Sequence, residues 1–176
     1  MQRVLLVGLP GAGASSVAEA VASATGWPVL DDELVLERSA GAPAEEVLQR
    51  GGEAALRSAE SHVLTLLLSM PPPLVASVPS AVVLDPRDLE RLRTGGHVVW
   101  LRASAPTLAR RSARQAGRVR LSEDPVSALQ RLADQRDRLY ASVAAQVLDM
   151  DVLTPVHAAR QVVAALTSGE RPGPTG

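Results

Sequence analysis

The segment Gly8-Leu9-Pro10-Gly11-Ala12-Gly13-Ala14-Ser15 follows an apolar run of strand length and precedes an alanine-rich stretch with helical periodicity. Gly8 and Gly13, placed between a strand and a helix, restrict the fold more than any other feature of the chain. Glycines there let the backbone turn tightly with its N–H groups facing inward. The following helix adds its positive end, so an anion is held without any side chain. Ser15 stands where a hydroxyl would ligate magnesium, and Ser16 adds a second polar group at the helix start. Ala14 stands where such a loop carries a lysine that steadies the outer phosphates. Loss of one preorganised donor of this kind costs roughly 3 kcal/mol, or about two to three orders of magnitude in rate. The loop reads either as an anion cradle lacking its ammonium group or as a glycine-rich turn whose phosphate role has lapsed.

No lysine elsewhere can substitute, because all 18 basic residues are arginines. Against 19 acidic residues they leave a net charge of -1, too weak a field to draw the chain onto nucleic acid or a membrane surface. Small-molecule partners and a monomer are expected. Absence of cysteine excludes disulfides and thiolate metal sites and fits a reducing, cytoplasmic setting. The apolar run before Gly8 is too short to span a bilayer, and neither a signal peptide nor a transmembrane helix is read. His62, His97 and His157 lack ligand-like spacing, so no zinc site is expected, and Trp27 and Trp100 read as packing residues.

At 176 residues the chain suits one domain. Apolar runs at residues 3–7, 27–30, 74–78, 98–101 and 146–150 mostly lack polar alternation, as strands buried on both faces do. Helical stretches at 15–24 and 52–69 lie between them, and Asp85-Pro86, Asp124-Pro125 and Thr154-Pro155 each mark a helix start. The pattern predicts an α/β fold with helices on both faces of a parallel sheet. Residues 169–176 read as a frayed Gly/Pro-rich tail.

With the loop placed, the chain resembles the shikimate kinase family from Val4 to about Leu166. The resemblance implies a three-layer P-loop NTPase fold with a five-stranded sheet in the order 2-3-1-4-5. It implies one domain over residues 1–167, with a lid at about 114–124 and a disordered tail at 168–176. The implied activity is ATP-dependent phosphorylation of shikimate or a similar small hydroxy acid, in aromatic amino acid biosynthesis, with ATP/ADP and Mg2+ as cofactors. By the same resemblance, Gly8, Gly11, Ala12, Gly13, Ala14, Ser15 and Ser16 face the nucleotide, and Ser15 and Asp31 face the metal. Glu33 stands in place of a family aspartate that binds substrate hydroxyls and acts as base, on a side chain one methylene longer.

Arg57, in Gly52-Glu53-Ala54-Ala55-Leu56-Arg57-Ser58-Ala59-Glu60, and Arg136, in Arg136-Asp137-Arg138-Leu139-Tyr140, correspond to clamps on the substrate carboxylate. A guanidinium fork suits that role. Without the resemblance, Arg57 and Glu60 read as an ordinary helix-surface pair. Gly117-Arg118-Val119-Arg120-Leu121 looks like a weakened lid in which Arg118 folds over phosphate and substrate, while Arg120 reads as part of a solvated turn. Arg111 would lie against adenine, with Pro155 in the adenine-side loop.

Two departures run against the family pattern. One is Ala14, and the other is Val78-Pro79-Ser80 in place of three consecutive glycines. Val78 and Pro79 add bulk to the pocket floor, and Pro79 removes a backbone donor. The readings left open are a weak or inactive small-molecule kinase and a pseudokinase that binds nucleotide, anion, metabolite or a protein partner. A kinase for a different cyclic polyol or acid would explain the rebuilt floor but not the missing lysine.

Overall fold

A computed structural model of the chain describes residues 2–112 and 124–168. Strand β1 (Arg3–Val7) lies at the centre, parallel to β3 (Leu74–Ser77) on one side and to β4 (His97–Arg102) on the other. Leu5 stands opposite Ala76 of β3 and Val98 of β4. The short β2 (Val29–Leu30) extends the sheet beyond β3, and β5 (Gln146–Asp149) extends it beyond β4. The order is β2-β3-β1-β4-β5 with every pair parallel, as the resemblance implies. Parallel neighbours require crossover helices that cover both faces, which accounts for the unbroken apolar character of β1, β3 and β4.

The helices are α1 (Ala14–Thr25), α2 (Asp32–Ala40), α3 (Ala44–Ser69), α4 (Pro86–Gly95), α5 (Ala105–Ser112), α6 (Pro125–Val143) and α7 (Pro155–Ser168). Helix α1 buries Val17, Ala18 and Val21 along one stripe and packs on α7. Helices α3, α4 and α6 form a connected layer around a single 3-10 turn at Val82–Leu84. No helix among the described residues is long and apolar enough to cross a membrane.

All three helix starts marked by an aspartate or threonine before proline are found. Asp85 accepts the N–H of Arg87 at 2.7 Å, Asp124 that of Ser127 at 3.2 Å, and Thr154 that of His157 at 3.3 Å. The helix expected over residues 52–69 is present, and a further helical stretch from Ala44 meets it at Gly52, whose φ 72, ψ -174 breaks the α3 span. Helices α2 and α5 escape the periodicity reading. Leu36 is the only buried residue of α2, and α5 has 8 residues, little more than two turns. Ser168 is the last residue of α7 rather than the start of a tail. Residues 169–176, most of the expected lid, Arg118 and Arg120 lie outside the described residues.

Arg3 anchors the lower edge of the sheet. Its guanidinium donates to the carbonyls of Gly95 (2.8 Å), Leu68 (3.0 Å) and Met70 (2.6 Å), joining β1 to the ends of α3 and α4. Beside it, a Cβ on Gly96 would lie 2.4 Å from the Arg3 carbonyl oxygen. A backbone oxygen held in the sheet cannot step aside as a side chain would. Gly96→Ala is therefore expected to lower unfolding stability by about 1–3 kcal/mol, read as a shift in urea midpoint at unchanged slope.

Candidate functional site

The loop after β1 runs straight into α1. A Cβ on Gly8 would meet the Leu101 carbonyl oxygen at 2.8 Å, so glycine is what allows β1 to leave the sheet against β4. Ala12 donates its N–H to Leu9 O at 3.0 Å, closing the turn, and Gly13 takes a left-handed conformation at φ 93. No side chain caps α1, and no acidic residue stands in its first turn. The helix start thus keeps its positive end open toward an anion. Ala14, its first residue, brings no charge to this end.

Ser15 donates its hydroxyl to Asp31 Oδ2 at 2.7 Å, while Asp31 Oδ1 accepts the N–H groups of Glu33 (3.0 Å) and Leu34 (3.2 Å). Asp31 is therefore both the cap of α2 and the partner of the hydroxyl at the loop. Its neighbour Asp32, absent from the sequence reading, turns the other way. Ser77 at the end of β3 donates to Asp32 Oδ1 at 2.5 Å and accepts the Asp32 N–H at 3.0 Å. Burial pushes the Asp32 carboxyl up to about 6 against the Ser77 hydrogen bond, and the charges of Asp31 and Glu33 add to the rise. Glu33 itself is exposed, in the first turn of α2.

Arg57 stands on α3 and Arg136 on α6, yet both act on the Glu60 carboxyl. Burial lifts the Glu60 carboxyl to about 7; Arg136 and Arg57 pull it down, and Asp32 pushes it up. Arg57 is exposed and meets Glu53 at 3.4 Å, so its surface pair is with Glu53 rather than Glu60. Arg136 donates to Ser80 Oγ at 3.0 Å. Tyr140, one helical turn on, donates to the Ser80 carbonyl at 2.7 Å. Val78 and Pro79 are buried, with the Val78 N–H on Leu6 O at 3.0 Å. An adjoining cleft of about 360 Å³ is lined by Arg57 and Glu60 on one wall and by Ala81, Val82 and Leu84 on the other, and neither Glu33 nor Arg136 lines it.

On the far side of the loop, Arg111 donates to Met150 O at 2.7 Å and to Ala12 O at 3.4 Å. It joins the phosphate-loop segment to the connection between β5 and α7, where Pro155 opens the helix. Asp151 in that connection accepts the Ser104 N–H at 3.1 Å, and hydrogen bonds from Thr107 and Ser104 hold its carboxyl below the usual range. Among the described residues no cluster of three metal-ligating side chains occurs. A hydroxyl–carboxylate pair such as Ser15 and Asp31 suits magnesium, which keeps several waters and takes few protein ligands beside phosphate oxygens.

The sequence alone assigned no role to Asp32, Ser77, Ser80 or Tyr140, although Ser80 and Tyr140 stand within the motifs of the resemblance, and it offered Glu60 only as a surface partner. Signals were present: Ser77 is a polar residue closing the apolar run Leu74-Val75-Ala76, and Tyr140 is the one tyrosine of the chain.

A parallel sheet of this order, with a glycine loop between β1 and α1 and a hydroxyl–carboxylate pair beside it, defines the P-loop kinase class of fold. The shikimate kinase family model matches residues 10–167, and the chain belongs to that family. The shikimate kinase of Salinispora arenicola is 34% identical over 164 residues, covering 93% of this chain and 97% of the relative. That of Xanthomonas euvesicatoria pv. vesicatoria is 32% identical over 166 residues, covering 94% and 92%. The solved structure of shikimate kinase from Acinetobacter baumannii in complex with shikimate superposes with a TM-score of 0.90 at 27% identity, covering 97% of this chain and 95% of that one.

A carboxyl raised by folding holds its proton more tightly in the folded chain than in the unfolded one. Its contribution to stability is present below the ordinary carboxylate range and fades as pH rises through about 6 for Asp32 and about 7 for Glu60. Unfolding midpoints are expected to fall from about pH 5 to about pH 8, and Glu60→Gln to flatten that fall. Urea titrations of both proteins at the two pH values check this.

Proposed function

We propose that this chain keeps the ligand sites of a shikimate kinase while transferring phosphate to shikimate, or to a similar small hydroxy acid, about two to three orders of magnitude more slowly than a lysine-bearing loop would allow. The observation that carries the reading is the Ser15–Asp31 hydrogen bond of 2.7 Å beside an uncapped α1 that begins with Ala14. The anion cradle and the magnesium half of the loop motif stand together, and within that motif the ammonium is missing.

On this reading the backbone of residues 8–16 holds the phosphates, with Ser15 and Asp31 facing magnesium and Arg111 and Pro155 flanking the base. Bound there, magnesium ATP supplies the phosphoryl group and neutralises part of its charge. Glu33 accepts the proton of the acceptor hydroxyl, Arg57 and Arg136 hold the acceptor carboxylate, and Arg118 closes from the lid. Glu60 keeps both clamps in one electrostatic neighbourhood.

The test is Ala14→Lys in a coupled assay with ATP, magnesium and shikimate. Turnover is expected to rise by about two to three orders of magnitude. Undiminished nucleotide affinity without any rise in turnover would defeat the kinase reading.

A second reading, a non-catalytic binder, is favoured by the floor. Val78 and Pro79 are buried where the family has glycine, and Arg136 is already engaged by Ser80. It expects calorimetry to detect ADP with the parent chain and Ala14→Lys alike, with shikimate turnover at background in both. No heat with either ADP or shikimate would remove the ligand-binding readings and leave a protein-partner role.

A further inference from the structure

Tyr140 is fully buried on α6, its ring 5.9 Å from that of Trp100 on β4, and its hydroxyl meets two backbone carbonyls. One belongs to Ser80, at 2.7 Å, and the other to Gly8, at 3.2 Å. Gly8 is the first residue of the phosphate loop, and Ser80 closes the segment that floors the acceptor side. A phenolic hydroxyl has a single proton to donate. The two carbonyls therefore compete for it, and the shorter contact assigns it to Ser80 in this structure. Burial also pushes the phenol well above its usual range, so the proton stays on the oxygen and is redirected rather than lost.

We infer that Tyr140 is a positioning residue that couples the two halves of the site by turning one hydroxyl proton between Ser80 O and Gly8 O. The inference rests on the reading of residues 8–16 as an anion site. Both contacts are partly buried and one hydroxyl proton serves only one carbonyl fully at a time, so the hydroxyl's two orientations are distinct states. An anion held by the loop amides shifts the backbone at Gly8 and with it the balance between the acceptors. The floor responds as a unit because it is stiff. Pro79 restricts its backbone, and the Val78 N–H is fixed on Leu6 O at 3.0 Å.

Pyrophosphate serves as the probe, since it can occupy the loop without an acceptor. Backbone amide exchange is followed by mass spectrometry in the parent chain, Tyr140→Phe and Ser80→Ala, each with and without Ala14→Lys. In the parent, pyrophosphate is expected to slow exchange in residues 9–16 and to change it in residues 80–84 by about fivefold, the scale of one net hydrogen bond. Tyr140→Phe should keep the loop response and lose the floor response. Ser80→Ala, which keeps the Ser80 carbonyl and removes only its side-chain contact with Arg136, should keep both.

A floor response surviving in Tyr140→Phe, or a parent response confined to the loop, overturns the coupling while leaving the anion site standing. If Tyr140→Phe does not fold, loss of the floor response in Ser80→Ala would move the link to Arg136 and overturn the role of Tyr140. Its persistence there would exclude Arg136 as the carrier and support Tyr140. The Ala14→Lys backgrounds supply a loop with its ammonium restored. Silence of the loop there and in the parent removes the anion-site reading, and the coupling with it.

Discussion

Strand β1 is hydrogen-bonded along both edges, to β3 and to β4, and the site depends on that central placement. Because the three strands are parallel, their carboxyl ends lie at one edge of the sheet, where their loops meet. The phosphate loop leaves β1, the segment of Val78 to Ser80 leaves β3, and β4 leads into α5, where the Leu108 carbonyl lies against Gly11 of the loop. Helix α6 is not part of the sheet, yet it reaches across this edge, with Arg136 and Tyr140 both touching Ser80. The register of three strands thus translates into contacts among residues far apart in sequence, and a slip of one strand would separate them.

The electrostatics are one-sided in kind. Arginine supplies every fixed positive charge of the chain, and two of its acids, Asp32 and Glu60, have carboxyls raised by burial. The acids of this region are not equivalent. Asp31 shares its oxygens between a hydroxyl and two backbone N–H groups, whereas Asp32 and Glu60 are burdened by burial. Adjacent carboxylates at positions 31 and 32 consequently have different work: one faces the loop, and the other ties the start of α2 to the end of β3.

Strand positions, the helix starts at Asp85, Asp124 and Thr154, and the strand–loop–helix setting of Gly8 to Ser15 were legible in the sequence, because period and capping chemistry are local. The family resemblance added the strand order, which periodicity could not. What stayed hidden was long-range. Nothing near Tyr140 in sequence points to Gly8, 132 residues away, and nothing near Asp32 points to Ser77. Helix α2 was missed because one buried leucine leaves no stripe to read, although Asp31, already singled out as a metal-side residue, is also its cap. Arg57 illustrates a subtler limit. Spacing allowed two acidic neighbours on the same helix face, and the charges of Arg136 on α6 and Asp32 on α2 give Glu60 a different setting from Glu53.

The break at Gly52 gives α3 two mechanically separate parts. Its left-handed φ of 72 lies outside what other residues readily adopt, so the helix axis restarts there instead of continuing from Ala44. An insertion before Gly52 would be absorbed by the joint. One residue inserted after it would swing Arg57 and Glu60 by about 100° around the axis. Drift in length is therefore tolerated on one side of this glycine and forbidden on the other, and the wall bearing Arg57 and Glu60 has its angular origin at the break rather than at the first residue of the helix.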